Sequence, residues 1–219
     1  MSRLASGASA ASDPLAAEIV VIGSGAGGAV TAAVLAEAGR EVLLIEEGPA
    51  VDTASMPSNS PDAMLTLYRN AGLTPILGNQ NIAFVEGRCV GGSTEINSGF
   101  WHRLSDDCYH RWKADFLVDA FSQEALEAGF ERIERELSVA RLGEQGESKA
   151  AELFRRGAET LDWHCEEVPR CQKDPGTSAF APGAKQSMQR TYLPRAQRAM
   201  EKVGSMRARL RFRCFDTFL

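Results

Sequence analysis

The chain is predicted to fold as α/β, around a parallel sheet, and three observations predict it. An apolar run, Glu18-Ile-Val-Val-Ile22, leads directly into a glycine turn with Gly23, Gly25 and Gly28 spaced as G-x-G-x-x-G. A helix-forming stretch, Ala29 to Ala38, follows at once, and a second apolar run, Val42-Leu-Leu-Ile45, ends in Glu46. Strand, glycine turn, helix, strand and acid in that order form a Rossmann-like dinucleotide-binding unit. In such a unit Gly23 allows the tight turn, Gly25 lets a pyrophosphate approach the backbone, and Gly28 lets the helix pack close to the strand. Ser24, Ala26 and Gly27 complete the turn, and the helix start offers N–H groups and partial positive charge to phosphates. Glu46 lies 18 residues past Gly28, where a carboxylate can accept hydrogen bonds from a ribose diol. The same carboxylate would repel a 2′-phosphate, which disfavours NADP.

The elements follow in order. Residues 1–16 are rich in Ser and Ala without an apolar centre, and read as a disordered leader ahead of a domain spanning 17–219. The Gly25–Ala38 helix is apolar nearly all round, as expected when sandwiched against a sheet, and Gly39 sits where a helix C-terminal glycine belongs. Val42–Ile45 is a continuous apolar run, typical of a parallel strand covered on both faces. Residues 48–81, rich in Pro, Ser, Asn and Gly, read as a long connection holding one short helix near Ala63–Tyr68. A strand is expected at Ile82–Val85. From Ser122 a helix places Leu126, Phe130, Ile133 and Leu137 at helical spacing, and a second, from Ser148, places Leu153, Phe154 and Leu161 on one stripe; both predict core-packing helices. A third is expected to begin at Pro194, a good first helical residue, with Ala196, Met200 and Val203 facing inward. Arg207 to Cys214 alternate basic and apolar residues, the period of a strand with one apolar face.

The second motif is Gly87-Arg-Cys-Val-Gly-Gly-Ser-Thr-Glu-Ile-Asn97. Paired glycines let the backbone approach a ligand, and Ser93, Thr94 and Asn97 add short polar groups. Together with the first fingerprint and Glu46-Glu-Gly-Pro49, this run resembles the first signature of the glucose–methanol–choline (GMC) oxidoreductases. Gly87, Arg88, Val90, Gly91, Gly92, Ser93, Thr94, Ile96 and Asn97 fit that signature position by position, and Trp101 fits the aromatic residue beyond it. The resemblance implies a Rossmann-like FAD-binding fold of GMC type, incomplete here, with additional helices. It implies FAD held by Gly23, Ser24, Gly25, Ala26, Gly27, Gly28, Glu46, Glu47, Arg88, Gly91, Gly92, Ser93 and Asn97. The flavin is expected to be noncovalent, because family members with a histidyl-linked flavin carry the histidine at the place of Ile96.

Further expectations come with the family. Its members oxidise CH–OH groups of small alcohols, passing hydride to flavin N5 while a C-terminal histidine removes the hydroxyl proton. Of His102, His110 and His164, none lies in a segment like that motif, so they read as packing or solvated and no catalytic residue is assigned. The chain therefore reads as the N-terminal part of such an enzyme, with most of the substrate domain and the catalytic segment absent and the isolated chain inactive. Two alternatives stay open: a noncatalytic flavin module or subunit completed by a complementing chain, and, less favoured, an NAD-linked dehydrogenase.

Composition narrows the rest. With 44% apolar residues and a net charge of −5, the 219-residue chain can build a large core and is a poor partner for nucleic acid. No run of 18 apolar residues marks a transmembrane segment. Cysteines at 89, 108, 165, 171 and 214 form no C-x-x-C pair and read as reduced thiols of a cytoplasmic protein; His164, Cys165 and Cys171 match no zinc spacing, so no metal site is expected.

Overall fold

A computed structural model describes residues 17–53, 60–143, 148–173 and 183–202. The expected leader, Val203 and the Arg207–Cys214 strand lie outside these residues. The chain divides into two compact units, Met1–Ser98 with Ser187–Leu219, and Gly99–Gln186.

In the first unit, β1 (Ile19–Ile22) and β2 (Val42–Ile45) pair in parallel, with Ile19 opposite Val42 and Ile22 opposite Ile45, joined by α1 (Ala26–Glu37). β2 buries Val42, Leu43 and Leu44, as its unbroken apolar run predicts. Helix α1 turns Ala29, Ala32, Ala33 and Ala36 inward, small residues that let neighbouring elements come close, and ends at Gly39 with a positive φ of 80°.

The last described element, α6 (Tyr192–Lys202), packs on α1. It buries Tyr192, Leu193, Ala196 and Met200, and Arg195 donates two hydrogen bonds, at 3.0 and 2.9 Å, to the Glu37 carboxylate. The helix begins two residues before the expected Pro194. Proline is tolerated there because N–H groups of a first helical turn have no acceptor within the helix.

Between β2 and the second motif, α2 (Pro61–Leu67) is the expected short helix, capped by Ser60. The remainder corrects the reading of 48–81 as a plain connection: β3 (Thr74–Ile76) pairs in an antiparallel hairpin with β4 (Ile82–Phe84), the strand expected at Ile82–Val85. A three-residue strand containing Pro75, with no N–H to give, leaves no periodic signal. The hairpin is entered through three successive left-handed residues, Asn70, Ala71 and Gly72. At Ala71 this conformation costs about 1–2 kcal/mol.

The second unit holds α3 (Asp106–Phe116), α4 (Gln123–Glu136), β5 (Val139–Ala140), α5 (Lys149–Thr160) and β6 (Arg170–Cys171), with β5 and β6 antiparallel. Helices α4 and α5 start one residue after Ser122 and Ser148, as expected. Trp101 meets Phe130 edge to face at 6.3 Å and donates its indole N–H to Glu134 at 2.8 Å, and Arg103 donates to both Glu127 and Glu134. One expectation fails: Leu153, Phe154 and Leu161 of the α5 stripe are 55%, 74% and 58% exposed. Helical spacing puts apolar residues on one face without saying what covers that face; the residue α5 buries is Ala158.

Candidate dinucleotide-binding site

The site lies in the first unit and starts where β1 ends. Gly23 turns the chain with a φ of 87°, its N–H donating to the Ile45 carbonyl at 2.7 Å. A Cβ at Gly28 would overlap the carbonyl oxygen of Gly23, so the third glycine is required for helix and strand to pack. Gly25 differs. Its backbone is extended, with φ −65° and ψ −169°, and a Cβ there, as at Gly27, would meet open space. Open space before a helix start is what a bulky anion needs.

The start of α1 is also unlike that of the next four helices. Ser60, Ser105, Ser122 and Ser148 cap α2, α3, α4 and α5 by accepting a backbone N–H, and each of these helices has an acid in its first turn. Helix α1 has Gly25 at that place, no side-chain cap and no first-turn acid. Its first N–H groups are left to an external acceptor, and no carboxylate there repels an anion.

Glu46, at the end of β2, is only 6% exposed. Its Oε2 accepts the Ser24 N–H at 2.8 Å and the Ser24 hydroxyl at 2.6 Å, and its Oε1 accepts the Gly48 N–H at 2.8 Å. The Ser24 hydroxyl in turn accepts the Gly91 N–H at 2.9 Å. Ser24 is fully buried, so its side chain supports the turn from behind and faces no ligand.

The second motif lies against the first. Gly91 and Gly92 have φ of 93° and 57°, and a Cβ at Gly92 would stand 2.8 Å from the Gly25 Cα. A Cβ at Gly87 would come within 2.6 Å of the Gly92 backbone, and the Ser93 hydroxyl accepts the Gly87 N–H at 3.0 Å. The loop is held by Thr94, whose hydroxyl donates to the Gly91 carbonyl at 2.7 Å and accepts the Met188 N–H at 3.0 Å. Buried Glu95 accepts from the Thr53 hydroxyl at 2.8 Å, and the Gln189 amide donates to the Val90 carbonyl at 2.7 Å. Thr53, Glu95 and Gln189 give no sign of this support in the sequence, because their partners lie 42 to 99 positions away.

The other predicted residues are placed less centrally. Glu47 accepts from Arg69 and from Arg88, an exposed network that Arg69 extends to Glu86. The Arg69 guanidinium, with Arg88 beside it, holds the Glu47 carboxyl below the usual carboxylate range. Asn97 is exposed, its N–H donating to the Ser93 carbonyl at 3.0 Å. Ile96 packs against Ala63, Leu67 and Cys89. His102, His110 and His164 are exposed. Among the described residues no three His, Cys, Asp or Glu side chains gather into a metal site. Cys171 lies in the second unit, its thiol pushed up to about 11 by burial.

A family model described as GMC oxidoreductase matches residues 64–208, and one described as NAD(P)-binding Rossmann-like domain matches residues 21–58. An uncharacterized GMC-type oxidoreductase, y4nJ of Sinorhizobium fredii, is 37% identical over 187 residues, covering 83% of this chain. The chain spans only 37% of that relative's length. Long-chain-alcohol oxidase FAO3 of Arabidopsis thaliana is 28% identical over 153 residues, 70% of this chain and 20% of its own length. The solved structure of a fungal aryl-alcohol oxidase superposes with a TM-score of 0.55 at 14% identity, over 90% of this chain and 38% of that one, a likeness of fold. The open helix start, the acid at the end of β2 and the glycine motif laid over both are thus those of a family, and this chain belongs to the GMC oxidoreductases.

Proposed function

We propose that the chain forms the FAD-binding part of a flavin-dependent oxidoreductase acting on CH–OH groups of alcohols. The observation that carries the reading is the uncapped start of α1, with open space at Gly25 and Gly27 and a buried acid at the end of β2. These features fit a dinucleotide: the N–H groups at the start of α1 bind the pyrophosphate, and Glu46 accepts from the adenosine ribose. Flavin, when bound, supplies the hydride acceptor. The chain's own residues bind and orient it, and Gly91 and Gly92 keep the second motif close to the turn. Alcohols are the substrate class because relatives named as long-chain-alcohol oxidases share this part of the chain. No described residue is assigned proton abstraction, and the groups that meet the substrate, including any supplied by a complementing chain, lie outside this assignment.

The flavin is held without a covalent bond, since Ile96 offers no nucleophile and packs on Ala63, Leu67 and Cys89. The test is to purify the 219-residue chain, load it with FAD or with NAD, and precipitate it with acid. A yellow complex that releases all its flavin to the supernatant supports the reading. Flavin left on the precipitate overturns the noncovalent part, and binding of NAD with no binding of FAD overturns the whole.

A further inference from the structure

We infer that Ser24 is a positioning residue for the dinucleotide: its hydroxyl fixes the Glu46 carboxylate so that one oxygen, Oε1, has room for one ribose hydroxyl. The inference rests on the FAD reading of the same site. Ser24 occupies a position of the fingerprint that asks nothing of its side chain, yet that side chain is fully buried. A hydroxyl is needed there because it must do two things at once. It donates to Glu46 Oε2 at 2.6 Å and accepts the N–H of Gly91, 67 positions beyond Ser24, at 2.9 Å, joining the acid of β2 to the second motif.

The lone pairs set the limit. A carboxylate has two on each oxygen. On Oε2 both are taken, by the Ser24 N–H and hydroxyl, and on Oε1 one is taken by the Gly48 N–H. One acceptor position remains, on Oε1. Glu46 cannot rotate Oε2 toward a second ligand hydroxyl without leaving two Ser24 donors unmatched in a buried place. The chain therefore reads one of the two adenosine ribose hydroxyls through Glu46, and Ser24 decides that it is one.

The experiment uses the 219-residue chain, its Ser24→Ala and Ser24→Thr variants, FAD, and two FAD analogues whose adenosine ribose lacks the 2′- or the 3′-hydroxyl. Binding is read from flavin fluorescence, and the melting temperature of each unliganded variant is recorded. The parent is expected to bind one analogue about tenfold more weakly than FAD, and the other nearly as well, the loss being that of one hydrogen bond to a charged group. In Ser24→Ala the backbone N–H groups of residues 24 and 48 still hold the carboxylate, but Oε2 regains one acceptor position for the second ribose hydroxyl, and the difference between the two analogues collapses. Ser24→Thr keeps the hydroxyl and keeps the difference.

A purely supporting Ser24 would weaken FAD and both analogues by one common factor, leaving the parent's discrimination intact in Ser24→Ala. That result overturns the inference and leaves the FAD site standing. Equal losses for both analogues on the parent also overturn it, and they decide the matter even where Ser24→Ala does not fold. A parent that binds no FAD at all overturns the FAD reading itself, and the inference with it.

Discussion

In the turn between β1 and α1, an added methyl group at Gly28 meets the Gly23 carbonyl, whereas one at Gly25 meets nothing. The two glycines therefore separate folding from binding. Gly28→Ala should destabilise the chain by about 1–3 kcal/mol, the ordinary cost of overpacking, seen as a lower urea midpoint. Gly25→Ala should leave that midpoint unchanged, because its backbone angles suit any residue, and yet lose FAD binding at least tenfold. Equal FAD affinity in Gly25→Ala and the parent would place the phosphates elsewhere. Glu46→Gln makes a third case. Its amide must aim an N–H₂ at the Ser24 or the Gly48 N–H, donor against donor, so the unliganded chain should lose about 1–3 kcal/mol in the same melts. At this scale Gly23 and Gly28 are legible because only glycine satisfies their backbone or space requirements, and Gly25 and the acid because of their spacing along the fingerprint. Ser24's part is not, since a serine in a turn looks alike whether it faces a ligand or the interior.

Elements were readable where a local rule sets them. Ser122 and Ser148 announce α4 and α5, and Gly39 closes α1, because capping acts within one turn of the chain. Helix α3 has the same serine cap and first-turn acids but buries only Tyr109, so it has no apolar stripe to reveal it. Strand β3 is three residues long and too short to show a period, and the short β5–β6 pair depends on partners distant in sequence. Packing between elements is likewise invisible to periodicity, as the exposed stripe of α5 illustrates. One junction carries a pH dependence. Arg103, with the Trp101 indole beside it, holds the Glu134 carboxyl below its ordinary value. A carboxylate depressed on folding adds stability that is fully present above its unfolded pKa and is lost as pH falls through the lower, folded value. Thermal melts followed by tryptophan fluorescence should thus weaken below the ordinary carboxylate range. Glu134→Gln should be less stable than the parent at neutral pH, with a shallower loss on acidification. An unchanged acid limb in Glu134→Gln would assign that loss to other carboxylates.

At the scale of the molecule, a ligand that binds the folded chain and not the unfolded one stabilises it by about 2.7 kcal/mol at a hundred times its dissociation constant. FAD should raise the melting temperature of the parent accordingly and that of Gly25→Ala by about half as much or less at the same FAD concentration. The class of fold was legible at this scale from one βαβ unit; the division at Ser98 and Ser187 was not, since both chain ends of the second unit return beside each other only in three dimensions. The uncapped start of α1 has a consequence in time as well as in space. Backbone amides without an acceptor exchange their protons with solvent freely, and those with one are protected. In heavy water the amides of Ala26, Gly27 and Gly28 should exchange fast in the unliganded chain and slow sharply once FAD is added. The amides of Ala63, Cys108, Ala125 and Ala151, each already held by a serine, should keep their rates throughout and serve as clocks within the same molecule. The cofactor would then be the last hydrogen-bond acceptor that the backbone requires, supplied from outside the chain.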